Sequence, residues 1–376
     1  MWRISLRRSF ASNRLFDEET GSCLDRSDPG SWILDPGLKA HSIHCPASRG
    51  QHPASAYSLH LNLTLKPWPK VCLAKAKEMI DTEKTGSNSP WVLAIRPKTL
   101  PASICPVIVG TALAVADKEF KFLPALAAFV CSLLLQIGVN LANDYFDYIK
   151  GIDTSERLGP IRVTFSGLIP APHVKWAMGI TFGLVAVIGI YLVTVGGWPI
   201  LTVGTASILA ALSYSGGPFP LASHGLGDLF VFIFFGLVAV CGTYYVQALR
   251  LTSLVLLTAV PVGLLITAIL VVNNLRDIMT DRSVGKNTLA VRIGERGARI
   301  EFVLLLAGAY AVPVILFIVD KVSIFALLPL VSLPMAISLS RTVCRKEGRV
   351  LNQNLAGTAQ LALIFSLLFS VGLIFS

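Results

Sequence analysis

The residues best equipped for chemistry stand in one stretch, 273–294, which reads NNLRDIMTDRSVGKNTLAVRIG and follows a long apolar run, 251–272. Asn273, Asp277 and Asp281 recur every four residues, so a helix through them carries all three on one face. Arg276, Arg282, Lys286 and Arg292 stand close by. Two carboxylates one turn apart suit a hard cation such as Mg²⁺, and cations beside them suit phosphate oxygens; together they fit a Mg²⁺–diphosphate site. The same residue types also cap helix ends and mark the cytoplasmic ends of membrane helices. One such motif does not separate the two readings.

A second copy does. Residues 140–153, NLANDYFDYIKGID, also close a long apolar run, 122–141. They supply Asn140, Asn143, Asp144, Asp147 and, further on, Asp153, followed by Arg157 and Arg162. Two acidic exit motifs, each with its own basic residues, point to a shared chemical task. Tyr145, Tyr148, Tyr214, Tyr244 and Tyr245 fall near helix ends and could line an aromatic site there, although tyrosines also gather at membrane interfaces for their own amphipathic reasons.

The elements that position these residues are apolar. The 376-residue chain is 53% hydrophobic and only 14% charged, with mean hydropathy +0.66; that charge fraction is far below the roughly 25% of soluble domains. Runs at 100–116, 122–143, 174–195, 200–214, 226–247, 251–272, 302–319, 322–340 and 355–375 approach the ~20 residues that span a bilayer as helix. The fold class is therefore all-α: a polytopic membrane protein of about nine transmembrane helices in the lipid bilayer. The net charge of +10 does not imply nucleic acid, because the basic residues lie in the N-terminal tail and in short loops. The seven cysteines show no CxxC spacing and read as small, reduced, apolar residues.

Nine spans fix the sides. The loops after the second and sixth spans are four crossings apart and so share one face. That face carries most of the Lys and Arg, among them Arg96, Lys98, Lys150, Arg157, Arg162, Arg276, Lys286 and Arg292. The opposite loops carry only Lys118, Lys121, Arg250 and Lys321. The positive-inside rule then sets both acidic motifs on the cytoplasmic side. Spans one to four and five to eight each place an acidic motif after their second helix, which suggests an internal duplication.

Residues 1–90 differ from the rest and form an N-terminal extension to a membrane domain at 91–376. Rich in Pro, Ser, His and Gly without periodicity, the extension is expected to be disordered or dispensable, with the working chain beginning near Met79. A transit peptide is the alternative; the Arg- and Ser-rich start fits it, but Asp17, Glu18 and Glu19 do not. His41, His44, His52 and His60 lie here, four of the six histidines, with no ordered framework for a metal.

Two carboxylate clusters with Arg and Lys would hold a diphosphate through Mg²⁺, and the apolar bundle beneath would hold a long hydrocarbon. A molecule with both parts is a polyprenyl diphosphate. Neutralising the diphosphate makes it a leaving group, and the allylic cation left behind needs a dry, aromatic-lined site and an electron-rich acceptor. A transporter with paired intramembrane acids is the competing class, but its ionisable residues would sit near the bilayer midplane, whereas these acids stand at helix exits.

The acidic motifs resemble those of the UbiA-type intramembrane prenyltransferases, a nine-helix superfamily. Five segments carry the likeness: RPKTLPAS (96–103), NDYFDYIKGID (143–153), RLGPIRVTFSGLI (157–169), GTYYVQ (242–247) and VNNLRDIMTDRSVGKNTLAVRIG (272–294). They are most similar to the branch that prenylates 1,4-dihydroxy-2-naphthoate in menaquinone synthesis, and the likeness covers 91–376. It implies transfer of the prenyl chain to the ring carbon bearing the carboxylate, with loss of CO₂ and diphosphate. It implies that Asn140, Asp144 and Asp147 hold one Mg²⁺–diphosphate arrangement and Asp277 and Asp281 the other, with Asn143 and Asn273 beside them. In many members a third Asp follows the second by four residues; here residues 148–151 intervene, so Asp153 is a weaker metal candidate. Arg162 and Lys286 are the leading diphosphate contacts, with Arg157, Arg282 and Arg292 behind them. Arg96 or Lys98 could hold the acceptor carboxylate, Tyr214 and Tyr244 could line its pocket, and His224 could assist its deprotonation. Other acceptors in the superfamily, such as 4-hydroxybenzoate, homogentisate or a haem or chlorin precursor, remain open. The implied membrane is the bacterial inner membrane with the site facing the cytoplasm, or an organelle membrane if the N-terminus is a transit peptide.

Overall fold

In lipid every peptide group must find its partner inside its own segment, so long apolar runs become helices. The computed structural model describes residues 89–153 and 158–376, together with the backbone of four short strands among residues 6–34. Within 89–376 the described residues are helical apart from their loops. Helix α1, Pro90–Ile95, leads through a 3₁₀ turn at Pro97–Thr99 into α2, Pro101–Ala116. There follow α3, Phe122–Ile149; α4, Ala171–Gly196; α5, Trp198–Ser215; and α6, Gly227–Ala248. The last four are α7, Ser253–Ser283; α8, Leu289–Ile318; α9, Ile324–Arg345; and α10, Leu351–Ile374. Among the described residues eight of these are long and apolar enough to cross a membrane, or nine if the pair Pro90–Thr99 and Pro101–Ala116, bent by 48°, counts as one span.

A helix stands at each expected apolar run, but two reach well past the polar ends of theirs. Helix α3 continues past residue 143 to Ile149, and α7 continues past 272 to Ser283. Residues 140–147 and 273–281 thus lie on final helical turns, as the spacing of four predicts for the second, while Asp153 and Lys286 stand in the loops beyond. The α7 helix starts at a Thr252 cap, whose hydroxyl accepts from the Val255 N–H at 3.3 Å. Helix α8 also begins earlier than the apolar pattern indicates, at a Thr288 cap, and breaks at Gly294, whose φ of 75° a side chain would oppose.

Burial sorts the helices. In α7, 72% of the apolar window lies inside the bundle, against 17% in α5, which presents most of its surface to lipid. Helix α7 packs against α8, α10 and α6, and the main core includes Leu265 and Val272 from α7, Phe302 from α8 and Phe365 and Phe369 from α10. Tyr310 meets Phe365 edge-on at 5.2 Å and shares a 2.6 Å hydrogen bond with Ser332, so its hydroxyl is not stranded in the core. Helix α6 adopts a π-helical segment at Phe232–Val238 where it crosses α7. The crossing is close: a Cβ on Gly236 would stand 2.6 Å from the Gly263 Cα. Small residues at such crossings let backbones approach where no hydrophobic effect drives them together.

The chain divides into two units, Met1–Pro67 and Trp68–Ser376. The described backbone of the first is an antiparallel meander in the order β1 (Leu6–Arg8), β2 (Leu15–Asp17), β3 (Ser22–Asp28) and β4 (Ser31–Leu34). The aperiodic reading of residues 1–90 did not anticipate these strands; the histidines at 41–60 and the Met79 start lie outside the described residues.

Candidate active site

The first acidic cluster is built by a loop returning onto the end of α3. Asp144 and Asp147 lie buried on its last turns. The backbone N–H groups of Val163 and Thr164 donate to Asp144 Oδ2 at 3.2 Å and Oδ1 at 2.9 Å. Arg162 Nη2 donates to Asp147 Oδ2 at 2.6 Å, and its Nε lies 3.4 Å from Asp153 Oδ1. Asp144, Asp147, Asp153 and Arg162 therefore form one buried group. Arg96 joins it from the α1–α2 junction, in a left-handed conformation (φ 57°) with Nη2 4.0 Å from Asp144 Oδ2. That places Arg96 at the first acidic cluster, the position of a diphosphate ligand as much as of an acceptor contact.

The asparagines here orient neighbours. Asn140 Nδ2 donates to Ile95 O at 2.8 Å and Thr99 Oγ1 at 3.1 Å, which pins the α1–α2 junction and leaves its amide oxygen as the atom able to face a cation. Asn143 Oδ1 accepts from Ser215 Oγ at 2.5 Å, at the end of α5. Lys150 Nζ donates to Ser215 O at 2.6 Å and Gly217 O at 3.1 Å, closing the same junction. Burial lowers the Lys150 pKa from its ordinary value, and the nearby Asp147 charge opposes that shift.

The second cluster is local to α7. Arg276 chelates Asp277, Nε to Oδ1 at 2.8 Å and Nη2 to Oδ2 at 2.5 Å, and Nη2 also donates to Asn273 Oδ1 at 2.8 Å. Asp281, one turn on, lies 3.7 Å from Lys286 Nζ. Asn273, Asp277, Asp281 and Lys286 thus come together as their spacing indicated. Arg282 and Arg292 are exposed, and Arg292 packs its guanidinium along Gly225.

Tyr214 on α5 approaches the start of α6, where a Cβ on Gly227 would sit 3.3 Å from its hydroxyl, within electrostatic range of Asp228, Asp147 and Asp281. His224 faces its own loop, Nδ1 at 2.8 Å from Pro220 O and its ring stacked 3.6 Å from Phe219. Lys98 is exposed. Tyr244 does not join this group. It lies at the other end of α6, where its hydroxyl donates to Asp117 beside Arg250, in the loops that follow α2 and α6. A tyrosine there cannot line a pocket at the acidic clusters. Arg157 lies outside the described residues. Asp228, by contrast, was not anticipated: it is buried in the first turn of α6, and its Oδ2 has no hydrogen-bond partner. An acid at the mouth of an apolar span is the signal that could have found it.

Among the described residues no three His, Cys, Asp or Glu side chains converge closely enough to hold a metal unaided. Mg²⁺ does not ask for that; it takes one or two carboxylates, substrate phosphates and retained waters, and the oxygen-only donors of both clusters fit it. The arrangement, two acidic clusters opposed by Arg96, Arg162 and Lys286 at one end of an apolar bundle, defines an integral membrane protein equipped for a charged head and a lipid tail.

Residues 103–373 match the UbiA prenyltransferase family, and the chain belongs to it. It is 40% identical over 301 residues to the 1,4-dihydroxy-2-naphthoate octaprenyltransferase of Escherichia coli, a match covering 78% of this chain and 98% of that one. The enzyme of the same name from Mycobacterium tuberculosis is 38% identical over 290 residues, 77% of this chain and 98% of that one. The UbiA prenyltransferase domain-containing protein 1 of Mus musculus is 33% identical over 290 residues, 76% of this chain and 83% of that one. Among solved structures, the apo UbiA homologue of Aeropyrum pernix superposes with a TM-score of 0.55 at 17% identity, covering 70% of this chain and 94% of that one. The homologue from Archaeoglobus fulgidus bound to DMAPP and Mg²⁺ gives 0.52 at 12%, covering 75% and 100%. These two likenesses are of fold.

Proposed function

We propose that this protein transfers a polyprenyl chain from polyprenyl diphosphate to 1,4-dihydroxy-2-naphthoate, releasing CO₂ and diphosphate, as a step of menaquinone synthesis. The observation that carries the acceptor is the 40% identity along 98% of the E. coli naphthoate octaprenyltransferase. The geometry supports the donor. Mg²⁺ bound at the clusters would neutralise the diphosphate and make it a leaving group. Asp144, Asp147, Asp277 and Asp281 would hold that ion pair of metal and phosphate, Asp153 sitting behind them on Arg162. Arg162, Lys286 and Arg96 would take phosphate oxygens as the bridging C–O bond breaks. The apolar bundle beneath the clusters would keep water from the allylic cation, and Tyr214, at the end of α5, is the aromatic side chain assigned to stabilise it.

The charge balance simplifies what the protein must do. The C–O bonding pair leaves with diphosphate; the ring carbon bearing the carboxylate supplies the pair for the new C–C bond. The C–CO₂ bonding pair then returns to the ring as CO₂ departs. With the acceptor bound as its carboxylate, no net proton need be removed. His224 is then not required as a base, although its Nδ1–H donates to Pro220 O and leaves Nε2 as the basic nitrogen.

The Lys and Arg distribution supports a site facing the cytoplasm, in a bacterial inner membrane, with residues 91–376 as the catalytic unit. An acceptor competition tests the reading. Membranes holding the protein, supplied with Mg²⁺, a long-chain prenyl diphosphate and equal 1,4-dihydroxy-2-naphthoate and 4-hydroxybenzoate, should yield a prenylated naphthoquinol lacking the carboxyl group. A prenylated hydroxybenzoate would keep the donor site and overturn the acceptor.

A further inference from the structure

Arg276 has a full set of partners. Besides Asp277 and Asn273, its Nη1 donates to Asn352 Oδ1 at 2.7 Å, and the side chain is buried. A guanidinium committed on three sides holds Asp277 in one orientation and has little left to offer a phosphate. Its third partner reaches further. Asn352 stands in the first turn of α10, and its Nδ2 donates to Leu158 O at 3.0 Å. Leu158 opens the described stretch that delivers Arg162 to Asp147 and Asp153, and the Val163 and Thr164 N–H groups to Asp144. One amide therefore ties the support of the second cluster to the support of the first, across 194 and 76 residues of sequence. The amide orientation follows from the partners, because Arg276 can only donate and a carbonyl can only accept.

We propose that Asn352 is a positioning residue that sets the spacing between the two acidic clusters, and through it the affinity for Mg²⁺–diphosphate; this rests on the function proposed above. A ligand held by both clusters senses their separation, and constellations of this kind tolerate displacements of only about 0.5 Å. Asn is suited to the task because one short planar group carries both a donor and an acceptor. Ala supplies neither. Asp keeps an acceptor for Arg276 but turns an oxygen toward the Leu158 carbonyl, which breaks the bridge on one side only.

The test uses the full chain in detergent, with thermal unfolding followed while Mg²⁺ and inorganic diphosphate are titrated together. Ligand that binds only the folded protein raises the melting temperature, so the titration reports binding without turnover. Asn352→Ala and Asn352→Asp should each raise the half-saturating concentration about tenfold, the lower end of what losing a ligand-orienting partner costs a metal site. The ligand-free melting temperature and the KM for the naphthoate should stay near wild type. Wild-type half-saturation in Asn352→Ala would overturn the proposal, and wild-type half-saturation in Asn352→Asp would overturn the bridge to Leu158. If neither Asn352→Ala nor the milder Asn352→Ser folds, Asn352 serves the fold at large and the proposal falls. A wild-type protein that Mg²⁺ and diphosphate do not stabilise would instead overturn the diphosphate reading itself, and this inference with it.

Discussion

The two acidic clusters reach a similar end by opposite means. The second is assembled within one helix end: Asn273, Arg276 and Asp277 bond one another inside a single turn, and Asp281 finds Lys286 five residues on. The first depends on the chain coming back. Asp144 is held by backbone N–H groups 19 and 20 residues away, and Asp147 by Arg162, 15 residues away. The second cluster keeps most of its bonds while its helix stands, with Asn352 its long-range tie, whereas the first also needs its loop to fold. The difference separates what each cluster tolerates.

The largest effects should come from the carboxylates themselves. Asp144→Ala and Asp277→Ala should each lower turnover on the order of a thousandfold, as loss of an oriented charge in a desolvated site does, while the protein still inserts in the membrane. Product formation at wild-type rate by either variant would remove the metal assignment. Next comes the contrast between supports. Arg162→Ala removes a cation that the buried Asp147 and Asp153 share, so it should cost about a hundredfold in kcat/KM. Lys286→Ala breaks a 3.7 Å pair on a partly exposed side chain and should cost about tenfold or less. Comparable losses from the two would mean the first cluster is no more dependent on its support than the second.

The same contrast explains what could be read in advance. The period of four in Asn273, Asp277 and Asp281 is a property of one helix, and α7 carries all three on its last turns as that period predicts. The first cluster was legible as a set of residue types, but its hydrogen bonds from Val163 and Thr164 come from the main chain, which no side-chain pattern reveals. Asn352 and Asp228 were invisible for a related reason: each is a polar residue at a helix start, where capping is the ordinary explanation. The ends of α3 and α7 were drawn short because hydropathy reports lipid exposure rather than helix, and the polar turns continue beyond it. The alternation of spans, by comparison, already set Arg250 at the opposite end of the bundle from the acids.

That last point bears on the tyrosines and gives the smallest expected effect. Tyr214 and Tyr244 look alike in sequence, each at the end of an apolar run. Helix α5 ends beside Asp228 and the clusters, whereas α6 starts there and carries Tyr244 to its far end, at Asp117 and Arg250. Tyr244→Phe removes a hydroxyl that touches only that far group, so turnover should stay within about twofold of wild type, with a loss of stability of about 1 kcal/mol for the hydrogen bond. Tyr214→Phe keeps the aromatic ring and removes a hydroxyl within electrostatic range of the acids, so its effect should fall on KM for the prenyl diphosphate more than on kcat. Steady-state kinetics on the pair decide the matter. Equal losses from both would mean that the two ends of α6 communicate, and that the far end is part of the working site after all.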